Sequence, residues 1–299
     1  MQKCILVYNR YRDLITSSGT VHYIKEALES LNYNVKVIPF DKDFINQISD
    51  VNIVFNYYTS ANFFQCLVPL ILEWLNIPYT GSRFITQVLA MDKEYTSILL
   101  KSHKIPVPAF SAVRDLKGLQ DIPPFPLIVK PALGGSSEGI TKESIVKDVD
   151  SLRLAVESLF SKGFKKVMIS SFIEGEEITV GIVGSNPPLV IGILKTCIEP
   201  DQILTSELKE DLKVYDKRVV PYRGEAYERI AKIALTVYDI LGCRGCARID
   251  IRLSLEGIPY VIDINTIPGL HPEYSYLPRM AEEFGLGYTG LIRTIIDDI

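Results

Sequence analysis

Lys130 closes an apolar strand signal and leads directly into a loop of three glycines and two serines, Gly134-Gly135-Ser136-Ser137-Glu138-Gly139. Glycine lets backbone amides turn toward an anion, serine adds hydroxyl donors and lysine supplies charge, so the combination suits a phosphate. Standing alone, such a loop is equally well a flexible surface hairpin. A second set follows in Arg248-Ile249-Asp250 and Asp263-Ile264-Asn265. Strand alternation points Arg248 with Asp250, and Asp263 with Asn265, to one side. If the two strands form a hairpin, two carboxylates and an amide oxygen converge beside a guanidinium. Oxygen-only ligands suit Mg²⁺ rather than zinc, and Mg²⁺ is usually held by a few carboxylates plus substrate phosphates. The plainer reading is a solvated polar face with one salt bridge. Strongly apolar flanks weigh against it, because a polar set on an otherwise buried strand pair needs a partner. Asn265-Thr266-Ile267-Pro268-Gly269 ends the second strand in a turn, and alone is only a turn.

The elements that must position these residues follow from periodicity. The first third alternates strand and helix signals: strands at 3–8, 34–39 and 51–55, helices at 19–31 and 64–75. That rhythm predicts a small parallel α/β domain, closed by the turn at 78–82. A helix is expected over 83–103, an extended segment over 105–110, and an apolar strand into Val129-Lys130-Pro131. A polar helix over 151–160 precedes strands at 166–172 and 177–183, and 209–220 reads as a charged, mobile loop. An amphipathic helix over 225–241 leads to strands 246–253 and 259–264, hinged at Leu255-Glu256-Gly257.

Composition narrows the partners. The chain has 299 residues, a formal net charge of −4 and no block of basic residues, which argues against nucleic acid or an anionic membrane surface. No leader-like run follows the N-terminal apolar residues, and the stretch 66–75 is too short to span a bilayer and is broken by Pro69 and Glu73. Five scattered cysteines do not suggest a disulfide framework, so a reduced, cytoplasmic protein is the expectation. Cys243-Arg244-Gly245-Cys246 has CxxC spacing without a second CxxC or a nearby histidine, and apolar packing is the favoured role. Of the three histidines, His271 follows the Pro-Gly turn and could touch a substrate, while His103 reads as a surface residue.

Taken together, IPYTGS (77–82), MDK (91–93), IVKPALGGSSEG (128–139), FIEGEEITV (172–180), LGCRGCARIDIRL (241–253) and VIDINTIPGL (261–270) resemble the D-alanine–D-alanine ligases of the ATP-grasp superfamily. The resemblance runs from about Asn76 to the C-terminus. It implies an α/β (α+β) ATP-grasp fold with an N-terminal parallel α/β domain over 1–85, a central subdomain over 86–175 and a C-terminal one over 176–299. It implies ATP with Mg²⁺ or Mn²⁺ as cofactors, small-molecule carboxylate and amine substrates of the amino-acid kind, and a homodimer. Lys93 and Lys130 match the lysines on the nucleotide phosphates. Gly135, Ser136 and Ser137 match the loop over the γ-phosphate, with Ser136 near the reacting groups, and Glu177 matches the ribose ligand. Arg248 matches the arginine that stabilises the tetrahedral intermediate, and Asp250, Asp263 and Asn265 match the metal ligands. Ser206-Glu207-Leu208-Lys209 stands where the family shows Tyr-Glu-Ala-Lys, making Lys209 another phosphate ligand.

The departures fall at the substrate end. The family's glutamate for the first amino group aligns near Tyr11, with Asp13 as a substitute. The His-Gly…Gly-Glu-Asp-Gly loop is replaced by Asn56-Tyr57-Tyr58-Thr59 and Phe63-Phe64-Gln65-Cys66. Those aromatics read either as lining of a bulkier pocket or as core. Ser170 replaces a glutamate in the adenine hinge, and Glu210 a tyrosine. Gly269 and either Tyr274 or Ser275, depending on the direction of counting, fall at the second substrate's carboxylate. The expected function is a carboxylate–amine ligase acting through an acyl phosphate. Its rivals are a ligase for other amino acids or a peptide natural product, and a non-catalytic nucleotide binder.

Overall fold

β1 (Gln2–Tyr8) carries an unbroken Cys-Ile-Leu-Val run because both faces of its strand are covered. It is the central strand of a parallel sheet, flanked by β2 (Tyr33–Pro39) and β3 (Ile53–Tyr57), with Cys4 opposite Val35 on one side and Ile53 on the other. Ile5 and Val7 pack toward Phe44 of α2 (Phe44–Gln47) and toward Val68 and Leu72 of α3 (Leu67–Trp74). Cys4 and Leu6 face Ile24 and Leu28 of α1 (Ser18–Ser30). That second core continues into Leu277 and Met280 of α8 (Tyr276–Phe284) and Leu291 and Ile295 of α9 (Gly287–Asp297). The computed structural model describes residues 2–11, 18–60, 62–135, 139–199, 201–203 and 218–299.

Periodicity predicts one helix over 83–103, but there are two, α4 (Phe84–Met91) and α5 (Lys93–Ser102). Asp92 breaks the run: its backbone is extended (φ −104°, ψ 99°), and its carboxylate accepts the N–H groups of Glu94 at 3.1 Å and Tyr95 at 3.4 Å. This is an N-cap, and the helix restarts at Lys93. The helix expected over 64–75 likewise opens with a 3₁₀ turn, Phe63–Cys66, capped by Asn62, before α3.

Two antiparallel sheets follow. The first has strand order β4 (Phe110–Val113), β7 (Val167–Ser171), β5 (Leu127–Pro131), β6 (Ile145–Val146), and α6 (Val149–Ser161) covers one face through Leu152, Val156 and Leu159. Leu127 and Val129 point toward α6, so Lys130 points to the opposite face. The second sheet has order β10 (Val219–Pro221), β9 (Leu189–Thr196), β8 (Gly175–Val183), β11 (Cys246–Ser254), β12 (Pro259–Asn265). Its apolar face, with Ile178, Val180, Ile249 and Ile251, is covered by α7 (Tyr227–Leu241). α7 stops at Gly242, whose left-handed backbone (φ 65°, ψ 41°) closes the helix. β9 has no counterpart in the sequence reading. Val219–Pro221 is a strand where the end of a mobile loop is expected, because it pairs with β9. Most of that loop lies outside the described residues.

Candidate active site

Alternation sorts β11 into two rows. Ala247, Ile249, Ile251 and Leu253 enter the core under α7, which leaves Arg248, Asp250 and Arg252 on the other face. The neighbouring strands extend this row sideways: Asp250 is in register with Thr179 of β8 and Asp263 of β12, and Arg248 with Asn265. The hairpin therefore brings the predicted carboxylates and amide to one face. Arg248 donates to both oxygens of Asp250, from Nε at 3.1 Å and a terminal nitrogen at 3.0 Å. Thr179 adds a hydroxyl donor to Asp250 at 2.9 Å. The Arg248 guanidinium also lies 5.6 Å from the centre of the Tyr276 ring. Thr179 and Tyr276 were not singled out from sequence. Thr179 stands two residues after Glu177, so strand alternation alone puts both on the same face.

Two lysines approach from the other side, Lys130 from β5 and Lys93 from the first turn of α5. Lys130 Nζ donates to the carbonyl of Ile262 in β12 at 3.3 Å. Burial, and then the charge of Lys93, push its pKa down to about 8, against the pull of Asp263, Glu177 and Asp250. Lys93 Nζ is 3.6 Å from Asp263 and donates to the carbonyl of Gly134. The first turn of α5 is fixed by a buried ion cluster that sequence reasoning missed. Lys166 reaches Asp92 at 2.6 Å and Glu94 at 2.9 Å, on either side of Lys93. Burial opposes the charge of Lys166, but the hydrogen bonds it donates to Asp92 and Glu94 outweigh it and hold its pKa above the ordinary lysine value. The one signal that could have pointed to it is Asp92 before Lys93-Glu94, a capping pattern inside the expected helix.

Chemically, Lys93, Lys130 and Arg248 can face a polyanion while Asp250, Asp263 and Asn265 offer oxygens to a hard cation. Among the described residues no group of three or more His, Cys, Asp or Glu is arranged for a metal. Two carboxylates and an amide fit an ion whose remaining ligands come from phosphates. Ser136, Ser137, Lys209 and Asp13 lie outside the described residues, and Gly135 stands at the edge of the described loop.

The substrate-end residues are less concentrated. The N–H of His271 donates to Ser275 Oγ at 3.0 Å, and Tyr274 stacks on the His271 ring at 3.8 Å. A side chain at Gly269 would meet Ser275 Oγ at 2.7 Å, so a larger residue there would push the serine hydroxyl aside. Tyr11, in contrast, is 81% exposed. The aromatic group does not line one pocket: Tyr57 and Tyr58 are buried in different cores, and Phe63 and Phe64 lie on the surface. Cys243 and Cys246 are buried, and burial pushes each thiol up to about 12, consistent with packing.

Residues 99–297 match the family model described as D-ala D-ala ligase C-terminus. The chain belongs to the D-alanine–D-alanine ligase family. The D-alanine–D-alanine ligase of Syntrophotalea carbinolica is 31% identical over 287 residues, covering 91% of this chain and 88% of the relative. That of Bacillus anthracis is 34% identical over 230 residues, covering 76% and 72%. A crystal structure of the B. anthracis enzyme complexed with ATP superposes with a TM-score of 0.78 at 25% identity, covering 100% of this chain and 97% of that one. The ligase-family fold is therefore ATP-grasp, and the chain is an ATP-dependent ligase that forms a carbon–nitrogen bond. No helix among the described residues is long and apolar enough to cross a membrane.

Proposed function

We propose that this ligase joins two amino acids, D-alanine to D-alanine, with ATP and Mg²⁺ or Mn²⁺, through an acyl phosphate. The observation that carries the reading is the approach of β5 and α5 to β12: Lys93 within 3.6 Å of Asp263 and Lys130 within 3.3 Å of the Ile262 carbonyl. Cations from β5 and from the start of α5 thus face the acid-bearing strand β12 across one cleft. A carboxylate oxygen of the first amino acid attacks the γ-phosphorus and ADP leaves. The second amine then attacks the acyl carbon, and phosphate departs with the original carboxylate oxygen. Lys93, Lys130 and Lys209 hold the phosphates, with Gly135, Ser136 and Ser137 closing over them. Glu177 receives the ribose, and Arg248 stabilises the oxyanion at the acyl carbon. Asp250, Asp263 and Asn265 would hold the divalent ion, which supplies charge neutralisation at the phosphates. Gly269 and Ser275, with Tyr274, frame the second carboxylate.

The sheets support the domain division at 1–85, 86–175 and 176–299. A homodimer is supported by an apolar stripe of Phe63, Leu70, Trp74 and Ile85 on adjoining helical segments, with Trp74 73% exposed. Buried free thiols at Cys4, Cys66, Cys243 and Cys246 support a reducing, cytoplasmic setting.

A different first acid is the second reading, favoured by the absence of Asp or Glu at 9–11 and 56–66. Incubation with ATP, MgCl₂ and D-alanine, read by mass spectrometry, tests the proposal. D-alanyl-D-alanine with stoichiometric ADP is expected. A dipeptide formed only when another amino acid is added would select the second reading, and no condensed product from any amino-acid pair would reject both.

A further inference from the structure

The row on β11 ends in a charged residue that the chemistry above does not use. Arg252 is 4% exposed and in register with Glu177 of β8. One terminal nitrogen lies 3.5 Å from the Glu177 carboxylate and donates to the carbonyl of Gln202 at 3.1 Å. Its Nε donates to the carbonyl of Ile173 at 3.1 Å, and the guanidinium lies 5.3 Å from the centre of the Phe172 ring. Residues 172–174 connect β7 of one sheet to β8 of the other, and Gln202 lies on the segment beyond β9. A single planar fork therefore ties the Glu177 carboxylate, the connection between the two sheets and the post-β9 segment together. A lysine, with one point charge on a flexible stem, cannot reproduce that set of directions.

We propose that Arg252 is a positioning residue for the nucleoside end of ATP, fixing the Glu177 carboxylate and the 172–174 connection in the arrangement that receives the ribose. This rests on the reading of Glu177 as the ribose ligand. The phosphate end is held by Lys93, Lys130 and the glycine-rich loop, so Arg252 acts on recognition of the sugar and not on the triphosphate.

The test is calorimetric titration of the full chain with ATP, 2′-deoxy-ATP, 3′-deoxy-ATP and inorganic tripolyphosphate, in the parent, Arg252→Met and Arg252→Lys. In the parent, at least one deoxy analogue binds more weakly than ATP. Arg252→Met loses about tenfold or more in ATP affinity, the scale of a lost charged hydrogen bond. It also binds ATP and the deoxy analogues within about twofold of each other while keeping its tripolyphosphate affinity. Arg252→Lys falls between parent and Met. Retained discrimination in both variants, or an equal loss for tripolyphosphate and ATP, overturns the proposal and leaves the ribose reading standing. A parent that binds all three nucleotides equally removes the ribose reading of Glu177 and the proposal with it, a failure visible without any variant.

Discussion

The polar face of the five-stranded sheet, opposite α7, and the first-substrate end of the N-terminal sheet are built in different ways. On the first, each polar group stands on a strand whose alternate residues are locked into the core, so Arg248, Asp250 and Asp263 are placed by register. On the second, the candidates follow the C-terminal ends of β1 and β3, where Asn9 donates to the Thr59 carbonyl at 2.7 Å and the N–H of Tyr11 to Asn9 at 3.1 Å. Loops of this kind can exchange residues without disturbing a core. On the proposed roles, the contrast separates residues fixed by register from residues that a loop can exchange.

If that contrast is right, substitutions on the sheet face act strongly and those on the exposed loop hardly at all. Arg248→Met has the largest expected effect. Turnover falls by about 10²–10³, the scale of a lost oxyanion donor, while ATP affinity measured by calorimetry changes little. A parallel loss of ATP affinity would move Arg248 from transition-state to ground-state binding. Asp263→Asn comes next: if Asp263 holds the ion as proposed, half-saturating Mg²⁺ in the activity assay rises at least about tenfold, because that ligand loses its charge. The third effect is one of pH. Lys130 is charged below about 8 and neutral above it, so kcat/KM for ATP falls about tenfold between pH 7 and pH 9. Lys130→Met starts lower and lacks that decline, and an unchanged decline in the variant would assign it to another group. Tyr11→Ala is the smallest, with activity within about twofold of the parent, as for an exposed side chain. A large loss there would bring Tyr11 into the site and narrow the contrast.

Legibility followed the same division. Period-2 alternation was enough to place Arg248, Asp250, Asp263 and Asn265 on one face, because a buried strand pair permits few other arrangements. The βαβ rhythm of the first third was similarly readable. The cluster of Lys166 with Asp92 and Glu94 was not, since its members lie 72 and 74 residues apart and meet only through packing. The break at Asp92 was hidden by apolar periodicity that continues through it, although an Asp before Lys-Glu is a capping signal. Arg252 lay within a recognisable segment, yet its hydrogen bonds go to the Ile173 and Gln202 carbonyls, and backbone groups leave no mark in a sequence. Tyr57 and Tyr58 show the limit for aromatics: adjacent residues enter opposite cores because strand neighbours face opposite ways.

The central claim is that the cleft phosphorylates a carboxylate before an amine attacks it. The direct measurement is the fate of ¹⁸O from D-alanine labelled in its carboxylate, followed into inorganic phosphate by mass spectrometry during turnover with ATP and Mg²⁺. One labelled oxygen per phosphate released is predicted, because the acyl carbon keeps one carboxylate oxygen and surrenders the other. Phosphate released without label would contradict the account.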